Sequence, residues 1–297
     1  MPRFASVVLL SLSMLLLALA PDAARAQSPS PPADAEPIRV LFVGNSLTYT
    51  NNMPRILAAI AASQPGGPAI ETATYALPGA ELDDLWDDGH AAEALRSGDF
   101  DVVVLQELGG LPLCFLQSRP DSACRRSVAA HRNFIQLATE RGTRVLLFMT
   151  WNRARTATQW SAKADLVERK ELMRDTYDQV LRAVTRSGDQ VTLLPAAEAL
   201  FDFATTVPQD QVLSDRMHPT MAASTIIAAQ LYAAVTGQPA RAADLMIDFP
   251  LLPPESDVRD DVPMERQSQL AGDGSRFLVK AEMLAPLFAI ANRPPSR

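Results

Sequence analysis

The stretch that decides the fold is residues 40–52, "VLFVGNSLTYTNN", in which an apolar run ends in Gly-Asn-Ser and polar, helix-opening residues follow. A serine at such a junction has two interpretations. It caps a helix, which is a common role for serine, or it is a nucleophile at the carboxyl edge of a sheet, where parallel α/β proteins bind their ligands. The choice depends on whether the chain supplies the base that a serine nucleophile needs.

Short apolar runs rich in β-branched residues recur along the chain, with helical patterns between them. Apolar runs without alternation are typical of strands covered on both faces and predict a parallel sheet. The stretch 69–76, "AIETATYA", does alternate and predicts an edge strand. Strand and helix in alternation predict a doubly wound α/β domain. The apolar runs lie at residues 39–43, 101–106, 144–149 and 190–195, and the helical patterns at 53–63, 166–184 and 221–235.

The beginning of the chain has the pattern of an export signal. Arg3 precedes an apolar run over residues 7–20, and small residues end at Ala26, so we predict a secretory signal peptide over residues 1–26. The apolar run is too short for a retained membrane span. We therefore expect a secreted or periplasmic protein without stable membrane insertion.

The charge of the chain is acidic. The full sequence carries a net charge of −7, and removal of the signal, with two arginines and one aspartate, leaves −8. An acidic chain without basic runs is a poor partner for nucleic acid or anionic membranes. We predict no nucleic-acid partner, and the sequence leaves the oligomeric state open.

The two cysteines, Cys114 and Cys124, lie close together in one loop-like segment. In an oxidising compartment we expect a disulfide between them, worth about 2–3 kcal/mol by loop closure. Two free thiols are the alternative. Neither cysteine lies in an activating motif, which disfavours a catalytic role.

The chain has three histidines from which a base for Ser46 can come. His218 lies in "LSDRMHPTMAAS" at 213–224, just before an apolar helix, and Asp215 is close enough to orient its ring. We interpret His131 as a packed or half-exposed helix residue and His90 as a residue that opens a helix. The pair Asp215 and His218 is therefore the candidate partner of Ser46.

These motifs resemble those of the SGNH, or GDSL-type, hydrolase superfamily. The first block matches "VGNSLT" with Ser46 as the implied nucleophile, the second matches "YALPGAEL" at Gly79, and the last matches "SDRMHP" with Asp215 and His218. The resemblance covers about residues 39–235. It implies a three-layer α/β/α sandwich around a five-stranded, mainly parallel, flavodoxin-like sheet. It also implies an oxyanion hole that includes the backbone N–H groups of Ser46 and Gly79.

The third block departs from the superfamily pattern. The usual asparagine is replaced by Gln106 in "VVVLQELGG", and glutamine carries the same amide donor on one more methylene. The resemblance therefore implies Gln106 as the third oxyanion donor. The combination of "GNS" and "LQE" also resembles a less-studied branch of the superfamily. The alternative is that Gln106 only caps a loop. Asn45 replaces the aspartate of the commonest first block, and we expect it to hold the turn.

Three residues next to the strand ends are candidates for lining the substrate: Asn45, Glu107 and Trp151. The segment 107–124 is expected to hang over the site, either as an apolar wall for an acyl group or as a loop packed on its own body. Trp151 either stacks on a sugar or fills a gap. Nearby, Arg153 and Arg155 either meet an anionic substrate or are solvated.

The sequence thus favours an exported serine esterase that cleaves a carboxylic ester, such as an O-acetyl group on a carbohydrate. The alternatives are a non-catalytic carbohydrate- or wall-binding module and an acyltransferase with the same triad. We expect no cofactor and no metal. The predicted organisation is a signal peptide at 1–26, a disordered linker at 27–37, a hydrolase-like domain at 38–240 and an extension on the same domain at 241–297. In the extension, residues 249–263 predict a loop and 275–291 a helix interrupted or ended near Pro286.

Overall fold

The structure is a computed structural model that describes residues 36–156 and 158–294. The predicted signal peptide at 1–26 and all but the last two residues of the predicted linker at 27–37 lie outside the described residues.

Five parallel strands form the central sheet, in the order β2-β1-β3-β4-β5. The predicted parallel sheet is therefore confirmed, and the alternating stretch lies at an edge, as its pattern predicted. The inner strands are apolar except near their ends, because helices cover both of their faces. The strands are β1 (Ile38–Gly44), β2 (Ile70–Ala76), β3 (Val102–Gln106), β4 (Arg144–Phe148) and β5 (Val191–Leu194).

Helices on the two faces of the sheet complete a three-layer α/β/α fold, which is the architecture that the sequence blocks implied. They are α1 (Ser46–Tyr49), α2 (Met53–Ser63), α3 (Leu82–Asp88), α4 (His90–Ser97), α5 (Ser122–Arg141), α6 (Lys163–Val184), α7 (Ala196–Ala204), α8 (Met221–Thr236) and α9 (Ala281–Ala291). Helices α2 and α8 pack together, and α3, α5 and α6 form a second group. None of the helices in the described ranges is both long and apolar enough to cross a bilayer.

The last part of the chain differs from its sequence-based prediction. Residues Phe277–Val279 form strand β7, which pairs antiparallel with β6 (Leu245–Ile247), and α9 continues through Pro286 to Ala291. A proline inside a helix costs about 3 kcal/mol. Here the carbonyl that loses its partner belongs to exposed Glu282, so water can bind it, while the apolar face of α9 packs on α7 and α8.

The extension also covers the outer edge of the sheet. Glu265 lies in a short 3₁₀ turn beside β2, and one oxygen of its carboxylate accepts the Thr74 N–H at 2.9 Å. The other oxygen accepts the hydroxyls of Thr72 and Thr74 at 2.9 and 2.8 Å. An edge strand normally presents unpaired N–H groups to solvent. The Glu265 carboxylate satisfies one of them and joins the extension to the sheet.

We expect Glu265→Gln to lower the free energy of unfolding by about 1.5–3 kcal/mol, the usual worth of hydrogen bonds to a charged group. The amide keeps the size of the side chain but presents an N–H to one set of donors. Thermal unfolding measures the change, with exposed Glu171→Gln on α6 as the matched control. Equal melting temperatures for the two variants would contradict the role assigned to this carboxylate.

Candidate active site

Ser46 begins α1 at the carboxyl end of β1, in the turn that the sequence singled out. Asn45 caps this helix from an extended conformation, and its side-chain oxygen accepts the Leu47 N–H at 3.1 Å. Its Nδ2 donates to the Ala80 carbonyl at 2.9 Å. The asparagine therefore holds the turn, as expected, and leaves the Ser46 side chain partly exposed.

The structure brings Ser46, His218 and Asp215 into one hydrogen-bonded chain. His218 Nε2 lies 2.8 Å from Ser46 Oγ, and His218 Nδ1 lies 2.7 Å from Asp215 Oδ2. Because the carboxylate can only accept, Nδ1 carries the proton and Nε2 is free to accept the serine hydroxyl. Two groups that are 172 residues apart in the chain thus meet at one rim of the sheet.

Asp215 is held as an anion. Partial burial is the largest single influence and raises the pKa of its carboxyl, but the hydrogen bonds from the His218 N–H, the His218 ring and the Met217 N–H together outweigh it. The pKa of Asp215 therefore lies below its ordinary value. A carboxylate that stays ionised fixes the tautomer of the imidazole and stabilises its protonated form.

Two contacts that sequence reasoning missed fix the histidine segment. The indole N–H of buried Trp151 donates to the Met217 carbonyl at 2.8 Å. On the other side, Asn51 Nδ2 donates to the Pro219 carbonyl at 2.8 Å and to Ser224 Oγ at 3.0 Å. Asn51 has a φ of 59°, a left-handed conformation that asparagine tolerates better than most residues. The pair Asn51-Asn52 after a short helix was the signal that could have pointed to it.

Gly79 lies in a loop that is hydrogen-bonded to the turn before Ser46. The Leu77 N–H donates to the Gly44 carbonyl at 3.3 Å, and the Asn45 side chain binds Ala80, so the loop is tied to the residues before Ser46. Gly79 is exposed and has a φ of 72°, which favours glycine. Its N–H and that of Ser46 have no hydrogen-bond partner in the described part of the chain.

Gln106 does not take the position that the resemblance implied. Its Oε1 accepts the Asn45 N–H at 2.9 Å and the Thr48 hydroxyl at 2.8 Å. Since both of these groups donate, the amide orientation is settled, and Nε2 donates to the Glu107 carbonyl at 2.6 Å. The side chain is fully buried. Gln106 thus supports the turn from beneath and does not present a free amide donor to the open site.

The close approach of Gln106 explains the glycine of the first block. A Cβ on Gly44 would lie 2.6 Å from Gln106 Oε1 and 2.6 Å from Thr48 Oγ1. Contacts this short require the neighbours to shift, and both neighbours are held by hydrogen bonds. Gly44 is therefore needed for space rather than for an unusual backbone conformation.

The prediction that Asn45, Glu107 and Trp151 line the substrate is wrong, because all three are at most 1% exposed. Glu107 Oε1 accepts the N–H groups of Leu82 and Leu108, and Oε2 accepts the Ser127 hydroxyl at 2.6 Å. A buried carboxylate needs such donors. Each of the three side chains is hydrogen-bonded to another segment at the carboxyl edge of the sheet.

In the part of the chain that the structure describes, neither of the other two histidines is hydrogen-bonded to Ser46. His131 is buried on α5, as one of the two interpretations expected, with its Nδ1 2.8 Å from the Ser127 carbonyl and 3.8 Å from Glu107. His90 is exposed and begins α4, as predicted.

Cys114 and Cys124 form the predicted disulfide, with Cα atoms 5.8 Å apart. Cys114 lies in a 3₁₀ helix, Leu111–Leu116, that contacts α5 and α6. Its residues Leu113 and Phe115 pack against the core. Of the two interpretations of this segment, the loop packed on its own body fits these contacts better than the acyl wall.

In sheet order and in the position of its sequence blocks, the chain resembles the SGNH, or GDSL-type, hydrolases. It is similar in fold to a DUF4886 family protein from Bacteroides uniformis, with 15% identity, a TM-score of 0.48 and coverage of 68% of this chain and 84% of that one. The chain is also similar to a putative GDSL-like lipase from Parabacteroides merdae, with 13% identity, a TM-score of 0.46 and coverage of 71% of this chain and 99% of that one. A third similar structure is Axe2, an acetylxylan esterase from Geobacillus stearothermophilus, with 15% identity, a TM-score of 0.45 and coverage of 68% of this chain and 94% of that one. No family model and no curated protein sequence matches the chain.

We expect Gln106→Asn to be destabilising, although asparagine is the residue that the superfamily usually has there. The shorter amide cannot reach the Asn45 N–H and leaves it buried without a partner, at a cost of about 1–3 kcal/mol. Thermal unfolding measures this loss, with exposed Gln238→Asn as the control. A variant as stable as the wild type, with an unchanged rate of Ser46 labelling by a fluorophosphonate, would instead fit a direct amide donor.

Proposed function

We propose that the protein is a serine esterase that hydrolyses a carboxylic ester. Ser46 is the nucleophile, His218 is the base, and Asp215 orients the histidine. The backbone N–H groups of Ser46 and Gly79 form the oxyanion hole. The observation that carries the proposal is the continuous chain of hydrogen bonds from Ser46 Oγ through the imidazole to the carboxylate, at 2.8 and 2.7 Å.

In the first half of the reaction, Ser46 Oγ attacks the carbonyl carbon while His218 Nε2 takes the hydroxyl proton. The carbonyl oxygen becomes an anion that the two backbone N–H groups stabilise. His218 then gives the proton to the leaving alcohol, which leaves an acyl-enzyme. In the second half, water repeats the attack with His218 as base, and the carboxylic acid and free serine are released.

The exposure of the site favours a short acyl group carried on a larger polar molecule. The Asp215 side chain is 41% exposed and that of His218 17% exposed, so the triad lies near the surface. A shallow site of this kind suits an ester that projects from its carrier. We therefore extend the proposal to an O-acetyl group on a carbohydrate.

We also propose that the protein is exported. The pattern of residues 1–26 is that of a secretory signal. The disulfide between Cys114 and Cys124 is compatible with an oxidising compartment.

The assembled triad favours catalysis over a non-catalytic carbohydrate-binding module. A binding module has no need of a histidine placed between a serine and an ionised carboxylate. An acyltransferase would use the same groups and differ only in the acceptor that resolves the acyl-enzyme. Product analysis with and without an added sugar acceptor distinguishes transfer from hydrolysis.

We expect Ser46→Ala to abolish both fluorophosphonate labelling and hydrolysis of 4-nitrophenyl acetate, with a loss in kcat of roughly 10⁴-fold or more. Exposed Ser97→Ala on α4 is the matched control and should behave as the wild type. Turnover that persists in Ser46→Ala would disprove the mechanism. Glycan binding without turnover in the wild-type protein would support the binding module.

We expect Asp215→Asn to lower kcat by about 10³–10⁴-fold while the protein stays folded. The asparagine oxygen can still accept the backbone N–H groups of Met217 and His218, but the amide no longer holds the imidazole in the required tautomer. Steady-state kinetics with 4-nitrophenyl acetate measures the effect, and circular dichroism checks the fold. An unchanged kcat would remove Asp215 from the mechanism.

A further inference from the structure

Four arginines lie on the histidine segment, on the segment hydrogen-bonded to it, and on the part of α6 near Arg155. Arg153 and Arg155 follow β4, Arg216 follows Asp215 directly, and Arg169 is on the first half of α6. The first three are exposed and Arg169 is half-buried. Within the described ranges, no carboxylate lies within 4 Å of any of the four guanidinium groups. This set of four is called the arginine rim below.

The rim is joined to the triad segment by backbone contacts. The Ala154 N–H donates to the Arg216 carbonyl at 2.8 Å, and Arg216 Nη1 donates to the Arg155 carbonyl at 3.3 Å. Ala154 is buried and anchors this part of the backbone, and the side chains of Arg153 and Arg155 on either side of it are exposed. Because Arg216 stands only two residues before His218, these two hydrogen bonds place the 153–155 segment beside the histidine segment.

The backbone at Arg216 adds a second, independent observation. Its φ is 72°, a left-handed conformation that costs a residue with a Cβ about 1–2 kcal/mol and that glycine or asparagine adopts more easily. Asn51 and Asn52, the other non-glycine residues with positive φ among those described, are of the tolerant type. An arginine at such a position, in place of a residue that tolerates it better, points to a use for its guanidinium group.

Burial destabilises the charge of Arg169. The pKa of Arg169 is lowered mainly by burial, and the charge of Arg155 lowers it further, although Asp165 and Glu168 on α6 act in the opposite direction. Among the residues that the structure describes, none is hydrogen-bonded to the buried Nε of Arg169. Asp215, the acidic neighbour of Arg216 in sequence, is already engaged by His218. An anion placed at the rim would help to offset the cost of burying the Arg169 charge.

We propose that the arginine rim binds a carboxylate on the ester substrate, so that the preferred substrates are anionic esters such as acylated acidic sugars. A guanidinium group presents paired N–H donors that match the two oxygens of a carboxylate. The inference rests on the proposed esterase function. It adds that the substrate's negative charge lies on the β4 side of Ser46, beside the segment from Asp215 to His218.

The kinetic test compares charged and neutral esters of similar size. Mono-4-nitrophenyl succinate is paired with 4-nitrophenyl butyrate for a charge on the acyl side. For a charge on the leaving group, 3-carboxy-4-nitrophenyl acetate is paired with 4-nitrophenyl acetate. We expect kcat/KM to favour the charged member of at least one pair by about 10-fold or more at low ionic strength, and added salt to reduce the preference.

Arg155→Gln and Arg216→Gln should each reduce this preference several-fold, and the double variant should abolish it, while kcat/KM for the neutral esters changes little. Exposed Arg276→Gln, far along the chain in the loop before β7, is the control. A preference that survives the double variant would overturn the inference. Hydrolysis of both neutral esters by Ser46 with no preference for charge would also overturn it, while leaving the esterase function intact.

A binding measurement keeps the inference testable if none of these esters is turned over. Calorimetric titration of Ser46→Ala with methyl glucuronoside and with methyl glucoside compares a carboxylate with its neutral counterpart. Tighter binding of the glucuronoside that is lost in Ser46→Ala/Arg155→Gln/Arg216→Gln supports the rim. Equal binding of the two sugars, or no binding of either at millimolar concentration, rejects it.

Discussion

The geometry of the site depends on the carboxamide oxygen of Gln106, which accepts two buried hydrogen bonds. It accepts the backbone N–H of the residue before Ser46 and the hydroxyl of Thr48, two residues after it. The orientation of the serine is therefore set by the end of a neighbouring strand, in a buried place where a lost hydrogen bond is not replaced by water. Gly44 leaves room for this amide, because any side chain at that position would push the amide away.

The fold and the approach of Ser46, His218 and Asp215 could be predicted from the sequence because they depend on coarse features. Apolar runs without alternation imply a parallel sheet, and the carboxyl ends of parallel strands meet at one edge whatever the details of the loops. A serine after the first strand and a histidine before the last helix of the sheet domain therefore had to approach each other. The role of Gln106 could not be predicted. An amide has a donor and an acceptor, and the sequence does not show which of them faces the site.

The same limit explains the error on Asn45, Glu107 and Trp151. Their position after a strand places them at the binding edge, but one turn of backbone decides whether a side chain faces solvent or the layer beneath. In the extension, local signals failed for a different reason. Helix α9 passes through Pro286 because its apolar face packs on α7 and α8, and tertiary packing of this kind outweighs a single helix breaker.

Strained backbone conformations occur in the two segments that carry Ser46 and His218. The non-glycine residues with positive φ, among those described, are Asn51 and Asn52 after helix α1 and Arg216 inside the histidine segment. Strained conformations persist only where the surroundings over-determine them. The Asn51 backbone N–H donates to Leu252 in the extension and its side chain to Pro219, so one residue joins the serine, the histidine and the extension. The extension is thus more than a cover for the sheet edge, because it holds from behind the turn that fixes the distance between Ser46 and His218.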